Sequence, residues 1–141
     1  MGVPINYLAV LAAAIANMVI GSVWYGPLFG KQWLAWSGMT MEKMIEAKKK
    51  GMGKSYALMF VGSLVMYYVL AHALVFASAY LNAAGPAAGA MAGFWNWLGF
   101  IAPVTLGMVL WDGKPWKLWV LTNGYQLVAL VVGGVILGIW Q

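Results

Sequence analysis

Apolar positions along this chain run on instead of recurring with a period. Three stretches carry no charged residue, Val3 to Gly30, Ser55 to Trp111 and Leu118 to Gln141. A helix rises 1.5 Å per residue and the hydrocarbon of a bilayer is about 30 Å thick, so one crossing takes about 20 apolar residues. The three stretches therefore hold one, two and one spans. Span one covers about 5–26 and ends at Gly26-Pro27, because proline disfavours helix at the residue before it. Span two covers 55–81. Asn82 and Gly85-Pro86 interrupt the next apolar run, with Pro86 suited to a first helical turn. Span three covers 87–110, kinked or locally weakened by Gly99, Pro103 and Gly107. The turn "WDGKPW" (111–116) reverses the chain into span four, 117–140. The pattern predicts an all-α membrane protein, a bundle of four transmembrane helices forming a single integral domain over 1–141.

Composition agrees. Hydrophobic residues make up 64% of the 141 and charged residues 8%, with a mean hydropathy of +0.83, whereas soluble domains carry about 25% charged residues. A cleaved signal peptide is the competing reading of the N-terminus, where "AAAIA" (12–16) offers small residues, but no basic segment precedes the apolar stretch. The chain has no cysteine, which excludes disulfides, thiolate metal sites and cysteine nucleophiles.

The net charge of +5 suggests nucleic acid until the lysines are placed. Lys31, Lys43, Lys48, Lys49, Lys50 and Lys54 share the loop after span one, and Lys114 and Lys117 follow span three. Lysine-rich short loops stay cytoplasmic, so the charge is a topology signal and both termini are expected outside. Within the loop 27–54, "TMEKMIEAKKKG" puts Met41, Met44 and Ile45 on one helical face, with Thr40 as N-cap and Gly51 as stop. A short amphipathic helix over 40–50 is expected at the interface, with Lys48, Lys49, Lys50 and Lys54 towards anionic headgroups. A solvated loop helix is the alternative.

Aromatic residues crowd the same boundary. Trp24, Tyr25, Trp33 and Trp36 flank the end of span one, and Trp111, Trp116 and Trp119 flank the second lysine-bearing turn. Indole and phenol rings with one polar tip suit a layer between hydrocarbon and water, so these seven read as an interfacial belt. A ligand box is the alternative, chiefly for Tyr25.

Polar residues inside the spans are the candidate functional groups, because hydrocarbon penalises them unless they are used or paired. Asn17, Tyr68, His72, Asn96, Asn123 and Gln126 fall at comparable depths and are expected to form a polar intramembrane cluster. Interhelical hydrogen bonds that only hold the bundle together are the plainer reading. Gly89-x3-Gly93 and Gly134-x3-Gly138 provide faces for close helix approach. "GMGKS" (51–55) is no phosphate loop, since Lys48 stands where the first glycine belongs. Asp112 beside Lys114 reads as a turn former and ion pair. No catalytic constellation emerges, and a lone histidine makes neither a metal nor a haem site. No cofactor is expected.

The turns "GKSYALMFV" (53–61) and "GKPWKLWVL" (113–121), with "VWYGP" (23–27) against "LWDGKP" (110–115), hint at two duplicated hairpins. Convergent interfacial turn chemistry explains the same likeness. The segments "INYLAVLAAAIANMVIGSVWYGPLFGKQW" and "APVTLGMVLWDGKPWKLWVLTNGYQLVALVVGGVILGIW" resemble small bacterial membrane proteins of the domain of unknown function 1761 family. The resemblance is most specific at "WYGPLFGK" and "GYQLVAL". It implies a four-span protein without an assigned activity, with Asn6, Asn17, Trp24, Tyr25, Gly26, Pro27, Asn123, Tyr125 and Gln126 as motif positions of unassigned role, and the bacterial inner membrane is the expected location. Two function classes fit. One is a homo-oligomer, joined through its glycine faces, with a polar path for a small solute. The other is a non-catalytic accessory or lipid-binding module of the bilayer or of a membrane-protein partner. A site for an apolar ligand such as a quinone near Tyr68 and His72 is a third.

Overall fold

The computed structural model describes residues 2–141 and is all-helical among them. Helix α1 (Tyr7–Val23) is capped by Asn6, whose Oδ1 accepts from the N–H groups of Leu8 and Ala9. It continues as a π turn over Trp24–Leu28, so span one passes through Pro27 instead of ending there. The wide turn makes this tolerable. Phe29 N–H reaches back to the Trp24 carbonyl at 2.8 Å, a longer ring closure in which proline's missing donor is skipped.

Two short helices follow: α2 (Gly30–Ser37), which the sequence pattern does not announce, and α3 (Met41–Lys50). Helix α3 has the expected Thr40 cap, its hydroxyl accepting from Lys43 N–H, and stops at Gly51 with φ +86°. Helix α4 (Gly53–Leu81) is the longest, and Asn82 ends it in the left-handed conformation. Span three is broken. Helix α5 (Pro86–Asn96) passes into a π turn over Trp97–Ile101. Beyond Pro103 the chain resumes as a 3₁₀ turn and α6 (Gly107–Leu110), bent by 42° from the first half. Helix α7 (Trp116–Ile139) completes the bundle.

The helices alternate in direction. Asn6 Nδ2 donates to the Trp140 carbonyl and Gln141 Nε2 to Ser78 Oγ, which gathers both termini at one end. At the other end the two lysine-bearing loops meet. Lys114 Nζ donates to the Ser37 carbonyl at 2.8 Å, and Lys117 lies 5.8 Å over the Trp36 ring. The ammonium of Lys114 thus caps α2 instead of pairing with Asp112 as expected.

Small residues set the packing. Ala9, Val10, Ala13 and Ala14 of α1 meet Tyr67, Leu70, Ala71 and Leu74 of α4 and Leu130 and Leu137 of α7. Helices α5 and α7 touch backbone to backbone. A methyl group built on Gly89 would overlap the Gly134 carbonyl, one on Gly93 the Leu130 carbonyl, and one on Gly138 the Gly85 carbonyl. Both glycine faces are therefore used inside the chain, against each other, and are not open to a second copy.

Gly134→Val is expected to destabilise the detergent-solubilised protein by about 3 kcal/mol, since neither backbone can yield. Gly62→Ala, where an added methyl meets nothing within 4 Å, should be neutral or slightly stabilising. Thermal unfolding of both variants checks the pair.

Candidate functional site

The deep polar residues do not assemble into one cluster. They divide into two internal nodes and an outward face. In the first node, Asn17 of α1 is buried and donates through Nδ2 to Ser63 Oγ of α4 at 2.6 Å. Tyr125 of α7 donates its hydroxyl to Asn17 Oδ1, and Ser63 passes its own proton to the Met59 carbonyl. Three helices are tied at mid-span by donors and acceptors that water cannot replace there.

In the second node, Asn123 of α7 is 2% exposed. Its Nδ2 donates to the Trp119 carbonyl, and its backbone carbonyl accepts from Trp97 Nε1 at 2.9 Å. The Thr105 hydroxyl, with one proton to share, lies 2.9 Å from both Asn123 Oδ1 and the Ile101 carbonyl. This node anchors the broken part of span three, where the π and 3₁₀ turns disturb the regular ladder.

The other expected members lie elsewhere. Asn96 returns its Nδ2 to Ala92 of its own helix. Gln126 is half-buried and makes no side-chain hydrogen bond among the described residues. Tyr68 is exposed on the outer side of α4, and His72, one turn on, is half-buried beside it. Because Ser63 is level with Asn17 and α4 runs antiparallel to α1, His72 lies level with the first turn of α1, where Tyr7 stacks on Tyr68 at 6.3 Å. Depth counted from Leu81 placed His72 too far inside, since α4 projects beyond its neighbours.

The first node forms the apex of a cleft. Helices α1 and α4 are in contact from Ala9 and Leu74 to Asn17 and Ser63, and then part. Every residue of α4 from Gly53 to Met59 is exposed. The opening is a groove of about 560 Å³ that starts at Asn17 and Tyr125 and passes between Met18 and Ser22 on one wall and Ser55, Tyr56 and Met59 on the other. It shares Tyr25, Trp33 and Tyr56 with an adjoining hollow of about 530 Å³ under α3. There Lys31, Met39, Met44 and Ala47 complete the lining.

Tyr25 points into this space. It meets Tyr125 edge-on at 5.3 Å and Trp33 at 6.2 Å, so its ring is a wall of the cleft. Trp24 is also turned inward, donating Nε1 to the Leu121 carbonyl and packing on Phe29 at 4.8 Å. Trp36 is half-buried under Lys117. Trp111 and Trp116 are exposed, as a belt requires, whereas Trp119 buries its Nε1 with no acceptor among the described residues. Lys48, Lys49, Lys50 and Lys54 are all exposed. Of the apolar residues of α3, Met44 faces the cleft while Met41 and Ile45 remain exposed.

Ser63, Thr105, Tyr56 and Trp33 belong to these sites and were not among the expected polar groups. A serine in the middle of an otherwise apolar span was the available signal for Ser63.

Helices of this length and hydropathy, with polar groups paired internally at depth, define a small helical membrane protein. The chain belongs to the family described as protein of unknown function (DUF1761), which it matches over residues 8–138. No curated protein and no solved structure matches it. Of the motif positions that the resemblance singled out, all but Gln126 have a place in this architecture. Asn6 caps α1, Gly26-Pro27 forms the π turn, and Asn17, Trp24, Tyr25, Asn123 and Tyr125 build the nodes and the cleft.

Asn17→Ala removes the side-chain partner of both Tyr125 and Ser63, leaving the Tyr125 hydroxyl only the 3.3 Å contact to the carbonyl of residue 17, and is expected to destabilise by about 1–3 kcal/mol. Asn96→Ala removes only a bond within its own turn and should stay within about 0.5 kcal/mol. A double-mutant cycle of Asn17→Ala with Tyr125→Phe in detergent should show coupling, and additivity of the two would contradict the first node.

Proposed function

We propose that this protein is a binding module of the bilayer that holds one amphiphilic molecule in the cleft between α1 and α4. The observation that carries this reading is the splay of α4. Two spans that pack tightly at one end part below a satisfied polar node, leaving a groove open sideways to lipid and downward to the lysine-bearing loops. Its walls are aromatic and methionine side chains, which adapt to a flexible chain. The Tyr25 and Tyr56 hydroxyls, without hydrogen-bond partners among the described residues, offer donors to an ester or carbonyl oxygen. These neutral groups suit binding better than bond-making. Lys31 at the lower rim favours an anionic head.

A solute path through an oligomer asks for the deep polar groups on one common lining. Their division between two internal nodes and an outward face gives that reading less support than the cleft has. The exposed lysines of α3 and its surroundings suit contact with anionic headgroups on the cytoplasmic side. With both termini at the opposite end of the bundle, this supports an inner-membrane orientation with the termini outside.

Native mass spectrometry of the protein released gently from its host membrane should show one retained amphiphile per chain. Met59→Trp, which fills an exposed wall of the cleft, should reduce that adduct about tenfold, as expected when about 1.4 kcal/mol of binding is lost. An adduct that is absent from the parent protein, or unchanged in the variant, would sink the cleft as the site. For orientation, a C-terminal alkaline phosphatase fusion should be active and a C-terminal green fluorescent protein fusion dark. The reverse pattern would invert the topology.

A further inference from the structure

The outward face of α4 carries a second, independent feature. His72 Nδ1 lies 2.8 Å from the Tyr68 carbonyl. A carbonyl only accepts, so Nδ1 carries the hydrogen, which leaves Nε2 as the acceptor position of the ring. One turn away, the Tyr68 phenol is 41% exposed and has a hydroxyl without a partner among the described residues. The rings are already held in place. Tyr7 stacks on Tyr68, Tyr68 meets His72 edge-on at 4.5 Å, and His72 meets Phe76 at 6.3 Å. Val65, Val69 and Phe76 are exposed on the same stripe, so the feature lies on a side of the bundle that faces hydrocarbon. His72 lies near the outer end of the bundle and Tyr68 one turn deeper, where lipid tails offer the phenol no acceptor and a polar group left idle is costly.

We infer that this stripe is the interface with a second copy of the chain, in which Tyr68 of each copy donates its hydroxyl to His72 Nε2 of the other. Donor and acceptor lie one helical turn apart on one face. A two-fold axis along the membrane normal therefore satisfies both pairs at once, as an isologous contact demands. The glycine faces play no part, being closed within each copy. Rings fixed in advance have little freedom left to lose on pairing.

The absence of cysteine makes the test direct. Val69→Cys lies on the stripe, and Val19→Cys is an equally exposed control on α1. Oxidation in native membranes should link Val69→Cys into a dimer of this chain at least fivefold more than Val19→Cys. Adding Tyr68→Phe or His72→Ala should lower dimer association five- to tenfold, since the two symmetric bonds are lost together. His72→Gln, which keeps an acceptor, should retain most of it. The inference is overturned if neither Val65→Cys nor Val69→Cys links above the control, or if the links run to a different protein. It is overturned equally if Tyr68→Phe leaves the dimer intact.

Discussion

The bundle hangs on the spare lone pairs of one helix. Every carbonyl inside α7 already accepts from its own ladder, and each retains a second acceptor site. In hydrocarbon no water competes for it. Tyr67 of α4 donates to Ala129, Trp24 of span one to Leu121 and Trp97 of span three to Asn123, so that all three other spans are pinned to the α7 backbone by an aromatic donor. Such bonds need close approach, and the glycines of α7 provide it. The Tyr67 ring occupies the place where a side chain at Gly133 would stand, and Gly134 and Gly138 let the α5 backbone lie directly on α7. Large rings against bare backbone are how a short chain obtains tight packing without a hydrophobic effect between helices.

The cleft is a consequence of the same arrangement. Span one leaves the bundle through the π turn, and α2 then folds back over the α7 side, where Lys114 and Lys117 hold it. Nothing comparable folds over α4, whose first two turns are left exposed. The two spans part immediately beyond the bond from Asn17 to Ser63, so a polar knot marks the line between the packed half and the open half.

Much of this was legible in the sequence. The uncharged runs announced an all-helical chain with three to four helices long and apolar enough to span a membrane. Thr40, Gly51, Pro86 and Asn82 acted where local chemistry put them, and the weakness of span three followed from Gly99, Pro103 and Gly107. The polar cluster was not legible, for a geometric reason. Position along a helix yields depth but not azimuth, and a helix that is apolar on every side does not reveal which face turns inward. Asn17 and His72 seemed alike at a similar distance from the ends of their spans, yet one is the most central polar group and the other is half-buried on the outer side of α4. The π turn through Pro27 and the helix α2 were hidden because Gly26-Pro27 ordinarily signals a stop. The suggested duplication survives only in outline. Trp24 and Trp111, which the likeness of the turns pairs, are placed differently: Trp24 turns inward and donates to the Leu121 carbonyl, whereas Trp111 is exposed.

A membrane interior sorts polar groups more strictly than water does, and that sorting is informative here. Asn17, Ser63, Thr105, Asn123 and Tyr125 close their hydrogen bonds within the chain, and their role is accounted for by holding it together. The Tyr25 and Tyr56 hydroxyls in the cleft and the Tyr68–His72 pair on the outer face of α4 do not. Tyr25 and Tyr56 lie towards the lysine-bearing end, where a phenol suits the boundary between hydrocarbon and water, so what marks them is their shared place in the cleft. Gln126 and the buried Trp119 Nε1 are left open as well, but singly, whereas the cleft and the outer strip of α4 each gather two such groups. One has the shape of a groove with neutral donors and a basic rim, the other is a narrow strip whose donor and acceptor match each other.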